Sequence, residues 1–319
     1  MIRASRVVAG LALALVSVGA QAITPVPAPP TALQQLQALD ERVQSVGWRL
    51  ARGNAPFCRE VAPGIGLLLQ DFASYRDPAG VRNPIMAYGD IAVQAVAAGS
   101  PAERARLRPN EPLEAVAGQP VATSPAVKPG DYARLAGLHE RMDTALASTG
   151  QVELVRYGKT LTIVGEPVCV TRFEMLTSGT RAAADGRRVV IGRKLVETLP
   201  EEDLLAAALA HELAHNVLGH RARLDTEGRA WSKVKRTERE ADRLSVWLLA
   251  NAGYEPEASL RFFARWGPMT DLGPLSSPDH DRWKTRVRKI TAEIAAMRAA
   301  MAKDPGGVAN WARDFVAET

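Results

Sequence analysis

The first regular pattern in the chain is that of an amphipathic helix. Leucines and valines from Leu33 to Leu50 recur at helical spacing and predict a helix at about Thr31–Arg52 with one apolar face. Such a face must pack against another part of the chain or against a partner. The proline-rich stretch Ile23–Pro30 is typical of an extended linker, so residues 23–55 are interpreted as a linker followed by this helix.

Residues 56–168 follow a different pattern, in which short apolar runs are separated by glycine, proline, asparagine and aspartate. Alternation with a period of two predicts strands, and the breaks predict turns. We therefore expect a β-rich domain here. Its predicted elements are a strand at Ile91–Val96, a helix starting at Ser100-Pro101, a strand at Leu113–Val116, a helix at Tyr132–Ala147 and a hairpin of Val152–Arg156 with Thr160–Val164.

Residues 169–303 combine strands with longer helices, and one of these helices carries a chemical motif. Acidic residues at 201–203 suit the positive end of a helix dipole, and a broad apolar face follows them. The helix contains His211-Glu212-Leu213-Ala214-His215, whose two histidines lie on one face and can bind the same zinc ion. Glu212 then lies beside the metal, where it can take a proton from a water molecule.

The third metal ligand is expected from a second helix. The spacing that supplies a third histidine in metzincins is missed by one residue at His220. A helix predicted over Ser232–Ala252 carries Glu238 and Asp242 on one face, so that Glu238 can bind zinc and Asp242 can accept a hydrogen bond from a ligand imidazole. Glu240 is the competing choice, but it points about 200° away from Glu238 on an ideal helix.

The composition is that of an ordinary globular protein, with 319 residues, 46% hydrophobic and 24% charged, which is long enough for two domains. The formal net charge is +5, but basic and acidic residues are interspersed and no recognition motif accompanies them. Nucleic acid is therefore not expected as a partner. A peripheral contact with an anionic membrane surface stays open.

The N-terminus has the pattern of an export signal. Arg3 and Arg6 precede an apolar run, Val7–Ala20, that is short for a membrane span, and Ala20-Gln21-Ala22 fits a cleavage site. We expect residues 1–22 to be removed and the protein to be periplasmic or secreted. The alternative is an uncleaved membrane anchor.

Two cysteines, Cys58 and Cys169, lie at the two ends of the β-rich segment. An oxidising compartment favours a disulfide between them, which would close the base of that domain. The alternative is two separate buried thiols. Neither cysteine is close to the histidine motif, so neither is expected to bind zinc.

Three stretches within the β-rich segment, Val93–Ala105, Leu107–Pro109 and Ala115–Val121, resemble a bacterial-type PDZ domain. The likeness departs from the usual pattern at Arg106, where a glycine is common. It implies a PDZ-like domain that captures peptide C-termini, with Gly64-Ile65-Gly66-Leu67 as the candidate cradle for the terminal carboxylate. The alternative is a folded β-rich spacer without a ligand.

The histidine motif, the Glu238 and Asp242 pair and the continuation through Ala250–Tyr254 resemble the M48 family of zinc peptidases. The likeness covers about Phe173–Ile290. It implies an α+β fold in which a zincin-like, mainly helical domain of the gluzincin type with a small sheet follows the PDZ-like domain. It further implies one Zn²⁺ per chain held by His211, His215 and Glu238, with Glu212 as the catalytic base and Asp242 in support.

Further assignments complete the predicted site. The strand Val189-Val190-Ile191 is the candidate edge for the substrate backbone, and an interior strand without that role is the alternative. His280 follows a Ser-Pro pair where family members often carry His-Pro, and it is a candidate transition-state donor or blocking ligand. Arg286 is a candidate for holding the substrate carbonyl, with a solvated basic face as the alternative. Residues 304–319 are expected to form a C-terminal tail.

We predict a zinc-dependent metalloendopeptidase that hydrolyses exported, misfolded or unassembled proteins, with the PDZ-like domain in substrate capture or regulation. One alternative is a PDZ-type binding protein or chaperone whose zinc site is latent or structural. A second is a membrane-associated processing factor, anchored by the first helix or by an uncleaved N-terminus.

Overall fold

A computed structural model describes residues 30–83, 88–123, 128–270 and 281–318. The predicted export signal at residues 1–22 and the candidate His280 lie outside the described residues. Among the described residues, no helix combines the length with the apolar character that a membrane span requires. The chain has a mixed α+β fold with small sheets, as predicted at that level.

The predicted first helix is present as α1 (Ala32–Asn54). Thr31 begins it, because the Thr31 hydroxyl accepts a hydrogen bond from the Gln34 N–H while the Gln34 side chain accepts one from the Thr31 N–H. Gly47 lets the helix lie close to the rest of the chain, since a Cβ at this position would lie 2.3 Å from the ring of Phe173. The apolar face of α1 is therefore covered from within the chain.

Short strands and helices follow between α1 and Cys169. In chain order they are β1 (Val61–Gly64), β2 (Leu67–Asp71), α2 (Pro78–Arg82), β3 (Ile91–Val96), α3 (Pro101–Arg104), β4 (Ala115–Val116), β5 (Gln119–Pro120), α4 (Ala133–Thr149), β6 (Gln151–Arg156), β7 (Lys159–Val164) and β8 (Glu166–Cys169). β1 pairs with β8, β2 pairs with β3, and the remaining strands form a sheet in the order β5-β4-β6-β7. The predicted strands, helices and hairpin are all present, although the strand predicted at Leu113–Val116 is shorter.

The alternating residues of β3 do not mark an exposed face, because the whole strand is buried. Helix α1 packs against β3, while Ile91 and Val93 on this strand enter an aliphatic core. Gln94 is 5% exposed and donates a 2.6 Å hydrogen bond to Asp40 on α1. A polar residue in the alternation is thus matched by a polar residue on the covering helix.

The second half of the chain is mainly helical. Its elements are β9 (Arg172–Leu176), β10 (Ala182–Ala184), β11 (Arg188–Gly192), α5 (Arg193–Thr198), α6 (Glu202–Val217), α7 (His220–Glu227), α8 (Trp231–Asn251), α9 (Ala258–Thr270), α10 (Trp283–Met301) and α11 (Trp311–Asp314). Helix α6 packs against α8, α9 and α1, and the strands form a sheet in the order β10-β11-β9. The histidine motif therefore lies on a helix surrounded by the rest of this half.

The predicted substrate edge at Val189-Val190-Ile191 is wrong, because these residues lie in the middle strand of the sheet. β11 pairs antiparallel with β10 on one side and parallel with β9 on the other. The register pairs Ala183 with Val190, and the hydrogen bonds from Asp185 to Arg188 and from Gly192 to Arg181 fix the alternation of the ladder. The backbone N–H and C=O groups of Ala182 and Ala184 therefore point away from β11. Within the described sheet the open edge next to α6 belongs to β10.

The buried apolar residues form two main cores. One lies among α1, the β9–β11 sheet and the long helices, and the other lies among β2–β7 and α4. Cys58 and Cys169 form the predicted disulfide, with their Cα atoms 5.6 Å apart, at the two ends of the β-rich region. Trp311 in the predicted tail is 7% exposed and donates a hydrogen bond to Asn54. The C-terminal segment is therefore packed against the first core.

Candidate metal centre

Helices α6 and α8 bring together the three predicted metal ligands. His211 and His215 lie one turn apart on α6, and Glu238 lies on α8. The Nε2 atoms of the two histidines are 3.2 Å apart, and the Glu238 carboxylate oxygens lie 3.4 Å from His211 Nε2 and 3.5 Å from His215 Nε2. Among the described residues, this is the group of three side chains that can hold a metal ion.

These separations fit a zinc ion. Zinc–nitrogen bonds of about 2.0–2.1 Å in a tetrahedral arrangement place neighbouring ligand atoms about 3.3–3.4 Å apart, close to the three distances in this centre. Two imidazoles and one carboxylate are also the ligand set of several catalytic zinc sites, which keep a fourth position open. The His211, His215 and Glu238 side chains are 13%, 15% and 15% exposed, so water can reach the centre.

Asp242 lies behind His211, as predicted, with Oδ1 3.0 Å from His211 Nδ1. Arg286 on α10 donates hydrogen bonds of 2.7 Å and 2.6 Å to the same carboxylate. Burial alone would raise the pKa of Asp242, but the charge of Arg286 and the contact with His211 keep that pKa below its usual value. Asp242 therefore remains charged beside His211.

Arg286, the candidate for holding the substrate carbonyl, is engaged within the chain. Its guanidinium is engaged by Asp242 and lies 4.1 Å from the centroid of the Phe263 ring. Its side chain is 14% exposed. The structure thus places Arg286 against Asp242, which lies next to His211, and the predicted contact of Arg286 with substrate stays a prediction.

A second support, behind His215, was missed by the sequence analysis. His220 Nδ1 lies 2.9 Å from His215 Nδ1, and His220 Nε2 lies 3.0 Å from Glu240 Oε2. His220 returns towards α6 because Gly219 adopts a left-handed conformation with φ +64°, which joins α6 to α7 by a sharp turn. The sequence carries no local signal for this contact, because His220 and Glu240 lie on different helices and Glu240 is buried only once α7 and α8 have packed.

The surroundings separate the pKa values of the three histidines. Burial lowers the pKa of His215 to about 3 and also lowers the pKa of His220. Burial acts in the same direction on His211, but contacts with Asp242 and Glu238 outweigh it and raise the pKa of His211 to about 10. Without a bound cation, a proton on His211 therefore balances the nearby carboxylates, and a metal ion must displace it.

Residues 180–234 match the model of peptidase family M48. The match supports an M48-family metallopeptidase. It runs from the strand edge β10 through the motif helix to the start of α8, so it includes His211, Glu212 and His215 and ends before Glu238. The assignment of Glu238 therefore depends on the geometry of the centre. No curated protein matches the chain significantly.

The segment that matches M48 also fixes the sheet edge to the metal centre. Asn216, next to His215, accepts a 2.7 Å hydrogen bond from the Gly186 N–H and donates one of 3.2 Å to the Arg188 carbonyl. Gly186 and Arg188 belong to the β10–β11 hairpin. These contacts were not predicted. They fix the position of the β10–β11 hairpin, and with it the open edge of β10, relative to α6.

The candidate peptide cradle Gly64-Ile65-Gly66-Leu67 lies in the β-rich region, between β1 and β2. β2 is buried along its whole length, and α4 packs against it. The Leu69 N–H points at His139 Nε2 on α4, 3.4 Å away. In the described conformation this N–H group of β2 is therefore directed at α4, and peptide binding at the cradle stays a prediction.

Proposed function

We propose that this chain is a zinc-dependent endopeptidase of the gluzincin type that acts on exported proteins. The proposal depends mainly on one observation, the convergence of His211, His215 and Glu238 at the separations of a tetrahedral zinc site. The M48 match supports the metallopeptidase class.

The proposed chemistry divides between the metal and the chain. Zinc would supply a Lewis acid that polarises the peptide carbonyl and makes water more acidic. His211, His215 and Glu238 would hold it. The other ring nitrogen, Nδ1, contacts Asp242 in His211 and His220 in His215. Such contacts fix the ring orientation and the tautomer.

Glu212 is proposed as the general base. It follows His211 on α6 and is half-buried, so water can reach it. It would take a proton from the attacking water and deliver it to the leaving amine. This two-way proton transfer needs no nucleophilic serine or cysteine.

The open edge of β10 is proposed as the substrate-binding strand. Ala182 and Ala184 direct backbone donors and acceptors away from β11, and Asn216 ties this hairpin to the motif helix. An extended polypeptide can add to such an edge as a further strand. Because only unfolded or flexible segments can do so, we propose misfolded or unassembled proteins as the substrate class.

Export and the β-rich region belong to the same proposal. The disulfide between Cys58 and Cys169 supports an oxidising compartment, which agrees with the export pattern in residues 1–22. For the β-rich region, interpreted as PDZ-like, we propose regulation or spacing in the conformation described. Capture of chain ends would require α4 to leave β2.

The test is cleavage of an unfolded protein such as casein by the wild type and by Glu212→Gln, with and without a chelator. Glu202→Gln is the matched control, because it makes the same change on the first turn of the same helix. We expect the wild type and the control to cleave only when zinc is present. We expect Glu212→Gln to retain zinc and lose about 10²–10⁴-fold in rate. Zinc-loaded wild type that binds casein without cleaving it would instead favour the binding-protein alternative.

A further inference from the structure

A chain of buried polar contacts leads from His215 away from the metal centre. His215 Nδ1 meets His220 Nδ1 at 2.9 Å, and His220 Nε2 meets Glu240 Oε2 at 3.0 Å. His220 and Glu240 are 1% and 0% exposed, which excludes water as their partner. The guanidinium of Arg223 also binds Glu240 and balances its charge.

The C-terminal segment completes this chain of contacts. The Glu318 N–H donates a 3.0 Å hydrogen bond to the second carboxylate oxygen of Glu240. The Glu318 carboxylate lies 3.3 Å from Arg239 and 3.2 Å from Lys289, and Phe315 lies under the Arg243 guanidinium, 5.1 Å from it. Residues 315–318 are thus held at several points against the side of α8 that carries Glu240.

The direction of each hydrogen bond follows from the role of His215 as a metal ligand. A metal bound at His215 Nε2 requires a lone pair there, so the ring proton of neutral His215 lies on Nδ1. His220 Nδ1 must then accept, which places the His220 proton on Nε2. That N–H can donate only to Glu240, an acceptor whose charge is balanced by Arg223. One arrangement of protons satisfies every atom in the chain of contacts.

We propose that His220 and Glu240 are positioning residues for His215, and that the C-terminal segment 315–318 holds Glu240 in place. His211 receives its support directly from a carboxylate, whereas His215 receives it through an intervening imidazole. This inference rests on the proposed zinc site, and it adds residues that contact neither the metal nor the substrate.

The test is the zinc dissociation constant, measured by competition with a chelator on the disulfide-bonded chain. We expect His220→Leu to weaken zinc binding by about 10–100-fold, the usual cost of losing a group that orients a ligand. His220→Asn places an acceptor oxygen near the position of Nδ1, so it should restore part of the affinity. A chain truncated after Asp314 should bind zinc more weakly than the wild type, but its loss of zinc affinity should be smaller than that of His220→Leu.

His139→Leu and His139→Asn are the matched controls, because His139 is also fully buried but lies in the other core. We expect these variants to lower the melting temperature and leave the zinc dissociation constant unchanged. Ring ¹⁵N shifts of the zinc-loaded wild type should identify His215 as the Nδ1–H tautomer and His220 as the Nε2–H tautomer. This measurement needs no variant to fold.

Two results would overturn the inference. One is a His220→Leu protein that folds and binds zinc as tightly as the wild type, and the other is the opposite tautomer at His220. A wild type that binds no stoichiometric zinc would instead contradict the proposed function. The two failures are therefore distinguishable.

Discussion

The β-rich region and the metal centre both bury polar groups, but they arrange them differently. In the β-rich region, Asp71 is 1% exposed and accepts hydrogen bonds of 2.6 Å and 2.5 Å from Arg134. At the metal centre, two imidazole nitrogens and a carboxylate face one another within 3.5 Å. In the first arrangement a hydrogen-bond donor, Arg134, is paired with an acceptor, Asp71. In the second, three groups that each offer a lone pair are brought together.

This difference separates a structural role from a functional one. A buried ion pair satisfies its own charges and needs nothing further. Three converging electron-pair donors repel one another unless a cation lies between them, and a proton on His211 is the smallest cation available. The comparison predicts that removing a carboxylate weakens zinc binding at the metal centre but lowers only the stability in the β-rich region.

The largest effect is expected for Glu238→Ala. Loss of a ligand should weaken zinc binding by more than about a hundredfold, which exceeds the usual cost of losing a supporting group. Zinc content after dialysis against a weak chelator measures this effect. A Glu238→Ala protein that retains one zinc per chain would remove Glu238 from the ligand set.

Removal of the disulfide should destabilise the folded chain. A bridge across 111 residues constrains a long loop in the unfolded chain, so Cys58→Ser with Cys169→Ser should lower the free energy of unfolding by about 2–5 kcal/mol. Urea denaturation of the oxidised wild type and the double variant measures the change. The zinc dissociation constant of the folded variant should stay the same, and a large loss of affinity would show that the centre depends on the bridge.

Asp71→Ala should lower stability without affecting zinc. Breaking a buried ion pair costs about 3–5 kcal/mol, and we expect the lower end because Asp90 remains 3.0 Å from Arg134. Denaturation and zinc competition on the same preparation measure both quantities. Weaker zinc binding in a folded Asp71→Ala protein would contradict the separation between the two regions.

The smallest effect is expected at Asp40, which lies on α1 between the two regions. Burial raises the pKa of Asp40 to about 6, although the hydrogen bond from Gln94 opposes the shift. Between pH 4 and pH 6 the folded chain therefore binds more protons than the unfolded chain, so stability should fall as the pH rises through this range. Asp40→Asn should remove that slope and raise stability at pH 7 by about 2–3 kcal/mol at most. Equal slopes in the two proteins would show that folding does not raise the pKa of Asp40.

Features that depend on local sequence were predicted well. The period of α1, the hairpin of β6 with β7 and the helix predicted over Ser232–Ala252 follow from spacing and backbone preference, and the structure contains all three. The pairing of His211 with His215 on α6, and of Glu238 with Asp242 on α8, belongs to this class, since a spacing of four residues puts two side chains on one face of a helix.

Features that depend on neighbours in space were not predicted. β11 is the middle strand of its sheet, but the apolar run Val189-Val190-Ile191 does not distinguish a middle strand from an edge strand. His220 was tested only as a ligand, by its distance along the chain from His215. Its contact with Glu240 joins residues on two helices, and no local pattern specifies that packing.

The most direct test of the account is the position of zinc in crystals of the zinc-loaded chain, located by anomalous scattering at the zinc absorption edge. We predict one peak per chain within bonding distance of His211 Nε2, His215 Nε2 and a Glu238 oxygen, with His220 outside that distance. A peak bound by His220, or the absence of any peak at this centre, would contradict the account.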